Sequence, residues 1–177
     1  MLTDYVSTRW YRSPELLVGD AAYSKAVDIW SIGCIFAEIY NGMPLFPGES
    51  DIDTLHHILK AMGNNLTSKH KKSFKKNPLF YGVKLPKPTE HKPLEQLVPE
   101  MGSTEISLLK DLLDFRPELR CDAQKYLDHS YFDPIRSSID HEIKDLSELD
   151  IEDYRTFKKF KNQTNDEKQI FSSANDF

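Results

Sequence analysis

Thr3-Asp4-Tyr5-Val6-Ser7-Thr8-Arg9-Trp10-Tyr11-Arg12-Ser13-Pro14-Glu15 opens the chain, and Asp28-Ile29-Trp30-Ser31-Ile32-Gly33 follows soon after it. Pro14 inside the first stretch and the turn signal Gly19-Asp20 predict an extended or looped segment over residues 1 to 23. The second stretch opens a helix running from about Ser24 to Tyr40. Its apolar residues Val27, Ile29, Trp30, Ile32, Ile35, Phe36, Ile39 and Tyr40 fall on nearly all sides. A helix that is apolar all round is expected to be buried and central. Asn41-Gly42 is its stop signal.

Working outward, Met43-Pro44-Leu45-Phe46-Pro47-Gly48 is a turn-rich connector. Ser50, with Asp53 three residues on, predicts a capping box opening a second helix. Ile52, Leu55, Ile58, Leu59 and Met62 make a single stripe on it, as on a surface helix. Residues 64 to 102 read as irregular, with five prolines and a lysine-rich patch. Helical spacing returns at Ile106, Leu109, Leu112 and Leu113, and again from Asp122 to about His129. No strand pattern emerges, so the expected fold class is mainly α. From Asp133 the chain turns polar and acidic. Ile139, Ile143, Leu146 and Leu149 could form one amphipathic helix, and residues after about Thr156 read as a disordered tail.

Composition sets looser bounds. Of 177 residues, 39% are hydrophobic and 29% charged, which suits a globular domain with a polar tail. The net charge of -5 gives no global attraction to nucleic acid or to an anionic membrane. Val27 to Tyr40 is too short to span a bilayer and carries Asp28, Ser31 and Glu38. The first residues have neither the basic start nor the apolar run of a signal peptide. Cys34 and Cys121 stand far apart in no metal-ligand spacing and read as two buried thiols in a reducing compartment. A cytoplasmic or nuclear setting is therefore expected, with the sequons at Asn65 and Asn162 read as chance matches.

The run from Thr3 to Glu15 resembles the end of a protein kinase activation segment, in the branch that holds the mitogen-activated and cyclin-dependent kinases. It carries a Thr-x-Tyr pair, Thr8-Arg9-Trp10-Tyr11-Arg12, and Ser13-Pro14-Glu15 in place of Ala-Pro-Glu. Leu16-Leu17-Val18-Gly19-Asp20, Asp51-Ile52-Asp53, the stretch from Asn77 to Pro86 and Pro93-Leu94-Glu95 are similar to the cyclin-dependent-kinase-like family. The resemblance covers residues 3 to about 132. It implies a partial kinase domain over 1–132, the helical C-terminal lobe, followed by an acidic tail over 133–177.

By that resemblance, Thr3 and Tyr5 are regulatory phosphate acceptors, served by an upstream or self-acting kinase. A phosphate on Tyr5 would add about -1.5 to -2 charge for Arg9 and Arg12 to meet. Thr8 takes the family position that marks serine/threonine specificity and, with Arg9 and Arg12, belongs to the substrate-receiving segment. Asp28, Trp30 and Gly33 match the Asp-x-Trp-Ser-x-Gly opening of the lobe's central helix. Glu15 and Arg120 match a buried structural ion pair. Arg116 before Pro117, and Ser130 in His129-Ser130-Tyr131-Phe132, depart from the family pattern.

Phosphoryl transfer by a kinase needs a glycine-rich loop, a lysine–glutamate pair, a catalytic aspartate and asparagine, and an Asp-Phe-Gly aspartate holding Mg2+. In the family all of these precede the Thr-x-Tyr pair. No catalytic or metal-binding residue is therefore assigned here, and ATP and Mg2+ are expected only in a complete kinase with its N-terminal lobe and catalytic loop. Side chains among Ile29, Ile32, Ile35 and Phe36 would then face water, leaving the chain alone marginal. The reading is the C-terminal part of an ATP-dependent serine/threonine kinase acting on protein substrates, with a cilium or flagellum as a further setting the resemblance suggests. The alternative is a noncatalytic interaction module built on a truncated lobe, with Lys69-His70-Lys71-Lys72 and Lys75-Lys76 docking acidic partners. Neither reading calls for nucleic acid or a membrane.

Overall fold

A computed structural model describes residues 8–136 of the chain. Thr3, Tyr5, the stripe from Ile139 to Leu149 and the tail after Thr156 lie outside them. Every regular element among the described residues is helical: α1 Pro14–Leu17, α2 Ala26–Asn41, α3 Asp51–Met62, α4 Ser68–Lys76, α5 Leu94–Leu97, α6 Ser103–Leu112 and α7 Ala123–Leu127, joined by short 3-10 turns. The fold is mainly α. None of these helices is long and apolar enough to cross a membrane. Contacts cluster the chain into two units, Met1–Tyr131 and Phe132–Phe177. In the described part of the second, Arg136 pairs with Asp133 at 3.0 Å.

The core of the first unit lies where α2 meets α6 and where α1 meets α3. Trp30, Phe46, Leu17, Leu55, Ile58, Leu108, Leu109 and Leu112 are fully buried there. Trp30 stacks on Phe46 with ring centroids 6.0 Å apart. Gly33 lets α6 approach α2: a Cβ at that position would stand 2.8 Å from Leu113 Cδ2 and 3.0 Å from Leu112 Cβ. Gly42 ends α2 in the left-handed region at φ 69°, its N–H donating to Glu38 O at 2.8 Å.

Several expectations need correction. The helix apolar all round is not buried all round: Ile29, Trp30, Gly33, Cys34, Phe36 and Ala37 are buried, while Ile32, Ile35 and Ile39 are exposed. Hydrophobicity at every angle told of burial potential, not of which neighbours the described chain supplies. Ile32 and Ile35 do face water, but Ile29 and Phe36 do not. Phe36 sits edge-on to Tyr40 and Tyr131 at about 5 Å. The looped opening contains α1, set by Pro14 at its first turn and by the burial of Leu17 and Val18. Cys121 is half-buried rather than buried.

The irregular stretch contains α4. Its sequence Ser-Lys-His-Lys-Lys-Ser-Phe-Lys-Lys offers almost no apolar periodicity. Two buried anchors, His70 and Phe74, hold it, with Phe74 stacked on Phe80 at 4.7 Å. A capping box starts it: Thr67 Oγ1 accepts the His70 N–H at 3.1 Å, and His70 Nδ1 accepts the Thr67 N–H at 3.4 Å. The expected box at α3 is only half present. Ser50 Oγ accepts the Asp53 N–H at 3.1 Å, but the Asp53 carboxylate accepts the N–H of Glu49 instead of that of Ser50.

Burial, chiefly, pushes the His70 pKa below its ordinary value; Arg120 and Lys69 push the same way, against Glu15 and Asp20. A folded pKa below the unfolded one means that the unfolded chain takes up this proton first as pH falls. Stability is then full above about pH 6.5 and is lost as pH falls from there toward the folded value. The thermal midpoint of the chain, followed by circular dichroism, should be flat from about pH 8 to 7 and decline as pH falls below about 6.5. His70→Gln, which can still accept the Thr67 N–H, should flatten that decline.

Candidate functional site

The segment from Arg9 to Arg12 is fastened to α2, to the start of α3 and to the connector before it. Arg9–Tyr11 form a single 3-10 turn, which sends successive side chains in different directions. Arg9 Nε and Arg12 NH1 both reach Asp51 Oδ1, each at 3.3 Å. Arg9 also donates to Glu49 O at 3.2 Å. Between them, the Trp10 indole donates to Gly48 O at 3.0 Å. Tyr11 Oη donates to Glu38 Oε2 at 2.7 Å, a bond that raises the tyrosine's pKa. Ser31 Oγ closes the set by donating to Tyr11 O at 2.9 Å.

Asp51 is therefore the acceptor shared by two guanidinium groups. The three side chains are each about a quarter to a third exposed, at 29%, 24% and 30% for Arg9, Arg12 and Asp51. Exposed pairs of this kind are worth about 0–1 kcal/mol each, so the arrangement is exchangeable rather than locked. It opens on a cleft of about 590 Å³, walled by Arg9, Arg12, Lys76 and Asn77 with Leu16, Leu79 and Phe80 as its apolar part. Arg9, Arg12 and Lys76 place cationic groups on the wall of this cleft, where charge-assisted hydrogen bonds to an anion can form. Thr8 stands exposed at the edge of the segment, capping nothing with its side chain.

Below this surface lies Glu15, paired with Arg120. Arg120 NH1 meets Glu15 Oε1 and NH2 meets Oε2, both at 2.7 Å, in a two-pronged pair with side chains 0% and 2% exposed. Arg120 also donates to Ala26 O and Asp114 O, each at 2.8 Å, and lies over the Trp30 ring at 5.0 Å. Asp28 sits exposed in the first turn of α2. Of the residues singled out in the sequence, the structure thus brings together Arg9 with Arg12, and Glu15 with Arg120 and Trp30. Thr8, Asp28 and Gly33 take separate places.

Two participants carried no role in the sequence reading. In the sequence Asp51 stands within a family-like tripeptide, and Glu38 is a charge within an apolar stretch. Asp51 lies 39 residues from Arg12 along the chain, and Glu38 lies 27 from Tyr11. The one available cue was the placing of an acid in the first turn of a helix that follows a connector.

Residues 1–132 match the family model described as the protein kinase domain. Cyclin-dependent kinase-like 2 of Homo sapiens is 51% identical over 130 residues, covering 73% of this chain and 26% of the relative. The Rattus norvegicus protein of the same name is 48% identical over 162 residues, 89% of this chain and 32% of the relative. Human cyclin-dependent kinase-like 4 is 43% identical over 136 residues, 77% and 36% of the two chains. The chain spans about a quarter to a third of the length of these relatives.

Arg120→Met should cost about 3–5 kcal/mol, because it leaves Glu15 charged and buried without its partner. Urea unfolding followed by tryptophan fluorescence should show the midpoint collapse or the cooperative transition vanish. Ser13→Ala should act in the opposite direction. Ser13 is fully buried, and its Oγ has no hydrogen-bond partner among the described residues. Removing it should raise stability by about 1 kcal/mol, read as a higher midpoint in the same titration.

Proposed function

The chain belongs to the protein kinase family, and on that premise we propose that it is the C-terminal part of an ATP-dependent serine/threonine kinase acting on proteins. The convergence of Arg9 and Arg12 on one oxygen of Asp51, at the mouth of the cleft, carries this reading. These cations follow Tyr5 by four and seven residues in a segment whose backbone is fixed by Trp10, Tyr11 and Ser31. A dianionic phosphate on Tyr5 would compete with Asp51 for them and order the segment that receives the substrate. Thr3 is the second acceptor, and Thr8 is the position tied to serine or threonine as the phosphorylated residue. Glu15 and Arg120 serve folding and take no part in the chemistry.

The 177 residues do not fit ATP and Mg2+ on their own. They contain no glycine-rich phosphate loop and no Asp-Phe-Gly. Among the described residues no group of three His, Cys, Asp or Glu side chains could hold a metal ion. The carboxylate at the cleft, Asp51, already accepts from two arginines. No catalytic step is therefore assigned to this segment, and the isolated chain is inactive under this reading. Nucleotide and metal belong to the complete kinase, with protein substrates, an upstream activating kinase and a cytoplasmic, nuclear or ciliary setting.

The test pairs two measurements. Titrating the 177-residue chain with ATP and Mg2+ in a calorimeter should give no saturable heat. The full-length product of the gene should transfer phosphate from ATP to serine or threonine peptides. Thr3→Ala with Tyr5→Phe should lower that rate about tenfold or more, within the range that phosphorylation-ordered loops control. Magnesium-sensitive nucleotide binding by the short chain would overturn its inactivity. A full-length protein without phosphotransfer, or one indifferent to both substitutions, would overturn the kinase reading or its switch respectively.

A further inference from the structure

The chain's charges are segregated. From Thr54 to Thr89 it holds the lysines 60, 69, 71, 72, 75, 76, 84 and 87 and not one aspartate or glutamate, in a protein of net charge -5. Two of these lysines are neutralised by acids from outside the stretch: Lys60 by Glu90 at 2.9 Å and Lys69 by Asp20 at 2.8 Å. Lys71, Lys72, Lys75 and Lys76 are all exposed on α4, and none makes an ion pair among the described residues.

Helix geometry concentrates them. His70 and Phe74 turn inward, which sends these four lysines outward over two turns. Lys71 with Lys75, and Lys72 with Lys76, stand four apart, where like charges oppose helix formation. Thr67, His70 and Phe74 hold the helix in spite of this repulsion. The C-terminal end of α4 leads into an apolar ledge: Leu79, Tyr81 and Val83 are strongly exposed, and Lys76 is also a wall of the Arg9–Arg12 cleft.

We propose that the outward face of α4, with the Leu79–Val83 ledge beside it, is a docking surface for an acidic, leucine-bearing segment of a partner protein. Charge complementarity selects the occupant. Four clustered cations with no counter-charge among the described residues call for carboxylates, and the adjoining ledge gives apolar side chains of the same segment a place to bury. Nucleic acid suits the face less well. It offers no arginine for bidentate phosphate contacts, and Phe74 among the lysines is buried, which leaves Tyr81 on the ledge as a single exposed ring rather than a row of stacking platforms. The surface is separate from phosphoryl transfer and does not depend on the kinase reading.

The probe is a fluorescein-labelled 15-residue peptide of glutamate with leucines at helical spacing, followed by anisotropy on the full 177-residue chain. An otherwise identical peptide with glutamine for every glutamate, and a 15-nucleotide single-stranded RNA, serve as comparisons. The acidic peptide should bind saturably and outcompete both, weakening as salt rises. The quadruple variant Lys71→Gln, Lys72→Gln, Lys75→Gln, Lys76→Gln, checked for unchanged circular dichroism, should bind about tenfold more weakly or worse, the sum of four exposed charge contacts. Leu79→Ala should weaken the acidic peptide while leaving its salt dependence unchanged. Absent binding, equal binding by the quadruple variant or the glutamine peptide, or tighter binding of the RNA would each overturn the proposal.

Discussion

Arg120 makes four hydrogen bonds from a site with no side-chain exposure, and two of them go to one carboxylate. A buried ion pair holds together only if its geometry offsets the loss of water around both ions. Here the two-pronged contact with Glu15 meets both oxygens, and the carbonyls of Ala26 and Asp114 take two further N–H groups. The pair joins residues 105 positions apart, so it forms only when the two ends of the first unit have come together. It ties α1, the entry to α2 and the loop after α6 at one point.

The rest of the packing extends from that point. The guanidinium lies over Trp30, and Trp30 stacks on Phe46, which places the connector between α2 and α3. Gly48, at the end of this connector, lies against the Thr54 backbone too closely to admit a side chain. Its carbonyl is then fixed to receive the Trp10 indole, while Asp51, just beyond, receives Arg9 and Arg12. A buried folding contact thus sets the position of the segment that carries Arg9 and Arg12. The surface contacts are individually weak. Their register comes from the buried frame beneath them.

The two basic regions differ in how they are held. Arg9 and Arg12 share Asp51 as an acceptor and sit on backbone tied to α2 and α3. Lys69 of α4 is neutralised by Asp20, whereas Lys71, Lys72, Lys75 and Lys76 make no ion pair among the described residues and stand on a helix anchored by two inward side chains. Under the proposed function, the first would meet an anion from the same segment. The second suits an extended acidic chain from another molecule. Lys76 borders both, which makes the basic surface continuous along the cleft wall.

The sequence by itself determined the helical class, the position of α2 with its Asn41-Gly42 stop, the Ser50 cap and the family. Each rests on information local to a few residues: period, caps, turn chemistry or a dense motif. Glu15 and Arg120 were legible as partners only through the resemblance, since spacing alone cannot join residues 105 apart. Tertiary structure decided which face of α2 is covered, because apolar side chains at every angle are compatible with any neighbour. It decided that the polar stretch from Ser68 to Lys76 is a helix, since two buried anchors and a cap replace the missing periodicity. It also decided that Asp51 meets Arg9 and Arg12 and that Glu38 meets Tyr11. Those contacts depend on where α2 and α3 come to rest, and their positions follow from the burial of Trp30 and the pair beneath it.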